Sequence, residues 1–175
     1  MRRFVLIAAC ALLAAAGLGA QVGRRAPGFS LPDQKGVERD LADYRGRIVV
    51  LDIMRTDCPH CIAFSKTLGL LKADYGAKLE VLAIVNPPDN QQTVASFVSQ
   101  YNLNGTYLFD CGQVSYSYIL PDPLHGPSIA IPHAYLIDQN GIIRGDWEFS
   151  NANSDVFRGP TLRQAIDKLL ESRPH

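Results

Sequence analysis

Cys58-Pro59-His60-Cys61 is where residue type and spacing together could do chemistry. Two cysteines three apart on the first turn of a helix can reach the Cα separation a disulfide needs. Closing so small a loop removes little chain entropy, so the bond can both form and break. Pro59 suits the first helical position, where its missing N–H costs nothing. Unpaired N–H groups and the positive end of the helix dipole favour negative charge on Cys58, and the thiolate is the nucleophile. Cys58 is therefore expected to be the attacking, more exposed thiol. Cys61, one turn in and on the apolar face, is expected to resolve the mixed disulfide. An imidazole at His60 would stabilise a Cys58 thiolate and tilt the pair towards the oxidant side. The carboxylate of Asp57 works the other way.

Asp52 interrupts the β-branched run Arg47–Ile53, where a carboxylate is expensive to bury. It reads either as a satisfied or edge-facing aspartate, or as a buried acid with a raised pKa that exchanges protons with Cys61. Cys111 reads as a buried structural thiol, with a third redox partner as the other reading. His125 and His133 read as surface residues rather than ligands, and Tyr116 and Tyr118 as packing residues. A zinc site would need four ligands, and one Cys-x-x-Cys lacks the second paired half, so no metal site is expected. Covalent haem needs a histidine directly after the second cysteine, and Ile62 stands there. A non-enzymatic alternative uses Cys58 and Cys61 as soft ligands of a Cu(I)-binding chaperone.

The elements that must position these residues are legible in the apolar pattern. Ala26–Asp33 and Val37–Leu41 read as an extended hairpin. Arg47–Ile53 and Leu79–Val85 read as strands buried on both faces. Between them Cys61, Phe64, Leu68, Leu71 and Tyr75 recur at helical spacing until Gly76. Gln91–Tyr101 reads as a second helix, Thr106–Phe109 as a short strand, Val114–Ile119 as a helical turn and Pro121–Ile131 as a long loop. Strands at His133–Ile137 and Ile142–Trp147 flank the Asn140-Gly141 turn, and a last amphipathic helix opens at Gly159-Pro160. The order implies an α/β fold, a central mixed sheet with helices on both faces.

The 175 residues carry 17 basic and 17 acidic groups, 47% apolar residues and four cysteines. This is one domain's worth of chain. Zero formal charge removes the basic footprint of a nucleic-acid binder, and ample apolar content excludes disorder. Met1, Arg2 and Arg3 precede the apolar run Phe4–Ala20, a signal-peptide layout, with an uncleaved N-terminal anchor as the other reading. Both export the domain, which is expected to span 21–175. Cys10 lies inside the targeting segment 1–20. Loss of Arg2 and Arg3 takes the 17 basic groups to 15 against 17 acidic ones, a formal charge of −2.

Three stretches carry a family resemblance: Ala26–Asp33 (APGFSLPD), Gly46–Ile53 leading into Cys58–Cys61, and Ile131–Asp138 (IPHAYLID) with Gly141. The chain resembles exported thioredoxin-fold thiol-disulfide oxidoreductases of the TlpA/ResA type, with an AhpC/TSA-type N-terminal extension. The resemblance implies that Pro132 is cis and lies against the dithiol. Ile131, Pro132 and Pro59 would then meet an extended substrate. It also implies a proton-transfer role for Asp52, at the position of thioredoxin's buried aspartate. No cofactor beyond a Cys58–Cys61 disulfide is implied. The partners implied are exported dithiol or disulfide proteins, apocytochromes among them, with a membrane electron donor or acceptor, in a periplasmic location. The chain departs from these relatives at Ile53-Met54-Arg55-Thr56-Asp57, where they carry an aromatic-rich approach. Its Cys-Pro-His-Cys is similar to that of DsbA-type oxidants. The N-terminal pattern also admits a peroxiredoxin-like thiol peroxidase, although Thr56 stands two residues before Cys58 rather than three.

Overall fold

The computed structural model describes residues 22–119 and 130–172. The expected targeting segment 1–20 with Cys10, His125 and most of the loop Pro121–Ile131 lie outside the described residues. Strands β1 (Ser30–Pro32) and β2 (Glu38–Asp40) pair as an antiparallel hairpin. They are followed by β3 (Ile48–Met54), α1 (Pro59–Tyr75), β4 (Leu79–Val85), α2 (Gln91–Tyr101), β5 (Thr106–Phe109) and α3 (Gln113–Tyr118). The chain closes with β6 (His133–Ile137), β7 (Ile143–Glu148), α4 (Ser154–Arg158) and α5 (Pro160–Glu171).

The main sheet has the order β5-β4-β3-β6-β7. β3, β4 and β5 are parallel, while β6 and β7 run antiparallel to their neighbours. β3 is thus central and wholly buried, as its near-continuous apolar run requires. Its side chains alternate. Val49, Leu51 and Ile53 face a cluster with Phe29, Leu41, Tyr44, Tyr118 and Tyr135, roofed by the N-terminal segment and α3. Ile48 and Val50 face Phe64, Leu68 and Leu71 of α1 together with Leu162 and Ile166 of α5. Met54 joins Cys61, Val94, Phe97 and Tyr107 in a third cluster that α2 covers. Asp52 shares the parity of Val50 and Met54, so it falls at the seam between the last two clusters, under α1.

Gly76 ends α1 at φ +56, and Lys72 Nζ donates to the carbonyls of Gly76 (3.3 Å) and Leu79 (2.6 Å) beyond it. Two hairpin turns share one device that spacing alone concealed, an Asp-Gln-x-Gly-x-x-Arg pattern at Asp33–Arg39 and Asp138–Arg144. In each, one carboxylate oxygen accepts two backbone N–H bonds of the turn and the other accepts from the arginine six residues on. Four elements were not anticipated, the 3-10 turns Leu41–Tyr44, Gly76–Lys78 and Asn151–Asn153, and α4. α4 buries only Val156 and Phe157, too few apolar positions for a helical period to show.

Three expectations about single residues are corrected. Cys111 is exposed rather than buried, because Asp110 turns inward instead and caps α3 through Val114 N (3.2 Å) and Ser115 N (2.9 Å). His133 is buried rather than on the surface: its ring stacks on Tyr135 and its Nε2 lies 2.7 Å from Asp146 Oδ1. Tyr116 is 51% exposed, whereas Tyr118 packs as expected and donates its hydroxyl to Pro27 O at 2.8 Å.

Candidate active site

The dithiol sits where β3 hands over to α1. Cys58 is the N-cap of α1 in extended conformation (φ −89, ψ 119), and its sulfur accepts the Cys61 backbone N–H at 3.3 Å. Pro59 follows at the first helical position and gives up no hydrogen bond there. The cap thus aims a helix-terminal donor at Cys58 Sγ, the arrangement that suits a sulfur bearing negative charge. Cys58 is half-buried, whereas Cys61 is fully buried among Met54, Val85 and Phe97. The more accessible sulfur is therefore the one at the cap.

The Ile131–Pro132 peptide bond is cis, and the Cys58 thiol lies 4.0 Å from the Ile131 carbonyl oxygen. Ile131 is half-buried beside the dithiol, and Pro132 is buried. A backbone strut fixes this segment: Phe149 N–H donates to Pro132 O at 3.1 Å. The Phe149 ring also stacks on His60, with centroids 4.1 Å apart. His60 is thereby held on an aromatic face, and among the described residues the bonds of Cys58 Sγ run to Cys61 and Ile131. Asp57, read from the sequence as opposing a thiolate, is paired with Arg55 at 2.6 Å.

One carboxylate that the sequence did not single out organises the approach to the dithiol. Asp89 accepts from Thr56 N (3.0 Å), from the Thr56 hydroxyl and from the Thr93 hydroxyl (2.9 Å). It ties the segment before Cys58 to the start of α2, and it leaves the Thr56 hydroxyl occupied rather than available to a peroxide. Asp89→Ala removes three bonds to a charged acceptor at once. We expect it to lower stability by about 2 kcal/mol, read as a shift in the urea midpoint. An unchanged midpoint would mean the clasp holds nothing. Its only sequence signal was the turn Asn86-Pro87-Pro88-Asp89, which shows no link to Thr56.

Asp52 is neither satisfied nor at an edge. It pairs in register with Ala83 of β4 and Ala134 of β6, is fully buried, and neither carboxylate oxygen has a hydrogen-bond partner among the described residues. Burial alone raises its pKa well above the carboxylate range. The Cys61 thiol is pushed up as well, by burial first, then by the charge of Asp52 and the Cys58 sulfur. An ionised Asp52 thus disfavours ionisation of Cys61.

Residues 22–145 match the model of the AhpC/TSA family. The thioredoxin-like protein YneN of Bacillus subtilis is 27% identical over 156 residues, spanning 88% of this chain and 81% of its own. Thiol-disulfide oxidoreductase ResA of Geobacillus kaustophilus is 31% identical over 153 residues, 86% of this chain and 77% of its own. A crystal structure of a thiol:disulfide interchange protein DsbE from Chlorobium tepidum superimposes with a TM-score of 0.68 at 27% identity. That alignment covers 85% of this chain and 97% of the other. With a dithiol at a helix start beside a cis-proline, and relatives matched over most of their length, the chain belongs to the AhpC/TSA family as a thioredoxin-like thiol-disulfide oxidoreductase.

Proposed function

We propose that the protein exchanges disulfides with exported partner proteins through Cys58 and Cys61. Cys58 Sγ and a partner sulfur form a mixed disulfide, and the partner's extended chain lies along Ile131 and Pro132, beside Pro59. Cys61 then attacks Cys58 Sγ, the Cys58–Cys61 bond forms, and the partner sulfur leaves with the electron pair. Asp52 takes the Cys61 proton in this direction and returns it in the other. His60 acts from the helix start, its ring placed by Phe149. The redox equivalents reside in the two sulfurs, so the reaction needs no cofactor.

The observation that carries this reading is the asymmetry of the pair: a half-buried cap sulfur facing Ile131 O, backed by a fully buried second sulfur. Export rests on Phe4–Ala20 as a signal segment or anchor. No helix of the described residues is long and apolar enough to cross a membrane. Dithiol or disulfide proteins of the same compartment, apocytochromes included, are the partners of matching chemistry, recharged by a membrane electron donor or acceptor.

Limited alkylation tests the reading. In a Cys111→Ser background, iodoacetamide should label Cys58 first, and exchange with a disulfide-bonded peptide should stop as that label accumulates. Label arriving first on Cys61, or exchange persisting after Cys58 is blocked, would overturn it.

A further inference from the structure

Phe149 lies just past β7, half-buried, and touches both halves of the site. Its backbone N–H donates to Pro132 O at 3.1 Å, and its ring faces the His60 imidazole with 4.1 Å between centroids and 26° between planes. Behind it, Phe157 meets Phe149 edge-on at 5.2 Å and Phe64 at 4.9 Å. The rings thus run from the exposed His60 into the core beneath α1. His60 and Phe64 stand on one face of α1, where residues four apart are neighbours. A ring fixed at its backbone and from behind stays in place when the imidazole turns, so turning breaks the stack.

His60 therefore rests against Phe149, while no hydrogen bond joins it to Cys58 Sγ among the described residues. A charge-assisted hydrogen bond to the sulfur is the strongest way for a histidine here to stabilise a thiolate. Without it, an exposed imidazole acts on the sulfur only through screened attraction. What remains at Cys58 Sγ is the Cys61 N–H at 3.3 Å and the helix end. We propose that Phe149 is a positioning residue that sets the redox poise of the dithiol. By holding the His60 imidazole on its ring it keeps that group off the Cys58 sulfur, and so places the pair on the reductant side of what Cys-Pro-His-Cys alone would give. The inference rests on the proposed exchange at Cys58 and Cys61 and deepens it, since poise decides which way electrons run.

The poise can be written as a balance with glutathione. The Cys58 and Cys61 thiols give two electrons and two protons to glutathione disulfide. The Cys58–Cys61 bond forms, the glutathione S–S bond breaks, and two glutathione thiols result. Whatever stabilises the Cys58 thiolate stabilises the reduced side of this balance and makes the pair more oxidising. Holding His60 off the sulfur withholds that stabilisation. The neighbouring carboxylate of Asp57 is occupied as well, paired with Arg55 at 2.6 Å.

The test equilibrates the full-length protein in glutathione redox buffers and reads the oxidised fraction by acid quench, alkylation and intact mass. Phe149→Leu keeps an apolar side chain against Phe157 but removes the flat face, which frees His60 to reach Cys58. Its equilibrium constant should shift about tenfold towards the dithiol, which is about 30 mV for a two-electron couple. Phe149→Tyr keeps the ring and should keep the wild-type constant. In a His60→Ala background, Phe149→Leu should shift nothing, which separates an effect through the imidazole from a general loosening. In the wild type, nuclear Overhauser contacts should join the His60 imidazole to the Phe149 ring, with the imidazole protons displaced upfield; this readout needs no variant to fold. Absence of that contact, an unchanged constant or a shift towards the disulfide in Phe149→Leu, or the same shift in the His60→Ala background overturns the inference. A wild type that forms no reversible Cys58–Cys61 bond in these buffers overturns the exchange reading instead, so the two failures are distinguishable.

Discussion

Cys61→Ser turns the protein into a trap. Cys58 still attacks a disulfide-bonded partner, but serine cannot attack the resulting sulfur, so the mixed disulfide accumulates on Cys58 and its breakdown slows by roughly a thousandfold or more. The size of the effect follows from proximity. In the wild type Cys61 stands one helical turn from Cys58, and its backbone N–H already bonds the Cys58 sulfur. A thiol from solution has no such placement. Non-reducing electrophoresis of the variant after reaction with a disulfide peptide should show a covalent one-to-one adduct that dithiothreitol dissolves. Rapid release of the adduct in Cys61→Ser would show that another group resolves it, and the exposed Cys111 would be the first suspect. The double variant with Cys111→Ser separates those cases.

Asp52→Asn should slow resolution by roughly a hundredfold at neutral pH and, at the same time, make the fold more stable. The second effect is the more diagnostic. Unfolded, Asp52 has an ordinary carboxylate pKa; folded, burial raises it well above that. Between the two values the unfolded chain has released a proton that the folded chain still holds. Stability therefore falls as pH rises from about 4 through the folded pKa, by up to about 1.4 kcal/mol per pH unit, and levels off above it. Asparagine has the shape of the neutral acid but no proton to lose. Urea midpoints of wild type and variant should then agree near pH 4 and diverge in favour of the variant as pH rises. Parallel curves would mean that Asp52 does not hold its proton in the folded state, and the proton-transfer role would fall with it.

Much of this site was legible in the residues. Helical spacing from Cys61 to Tyr75, the proline after Cys58 and the buried run before it place the dithiol at a strand-to-helix junction, because each feature reports local geometry. The same holds for Leu79–Val85, Gln91–Tyr101, Thr106–Phe109 and His133–Ile137, whose bounds coincide with the observed elements. What escaped depends on contacts between distant positions. Nothing near Asp89 announces its bonds to Thr56, 33 residues away. His133 looks like a polar residue at a strand start until β7 brings Asp146 beside it. Cys111 was weighed by the usual preference of cysteine for the interior, and here the neighbouring Asp110 takes the inward place. The stacking of His60 on Phe149 likewise joins the second residue of α1 to the segment after β7.

The central claim is that Cys58 and Cys61 form one reversible redox pair. Intact-mass and peptide mapping of the wild-type chain, equilibrated across glutathione redox buffers and acid-quenched, tests it most directly. The account predicts a single oxidised species two hydrogens lighter than the reduced one, with Cys58 linked to Cys61 and the Cys111 thiol free. A dominant Cys58–Cys111 bond, or a stable glutathione adduct on Cys58 that Cys61 does not displace, would contradict it.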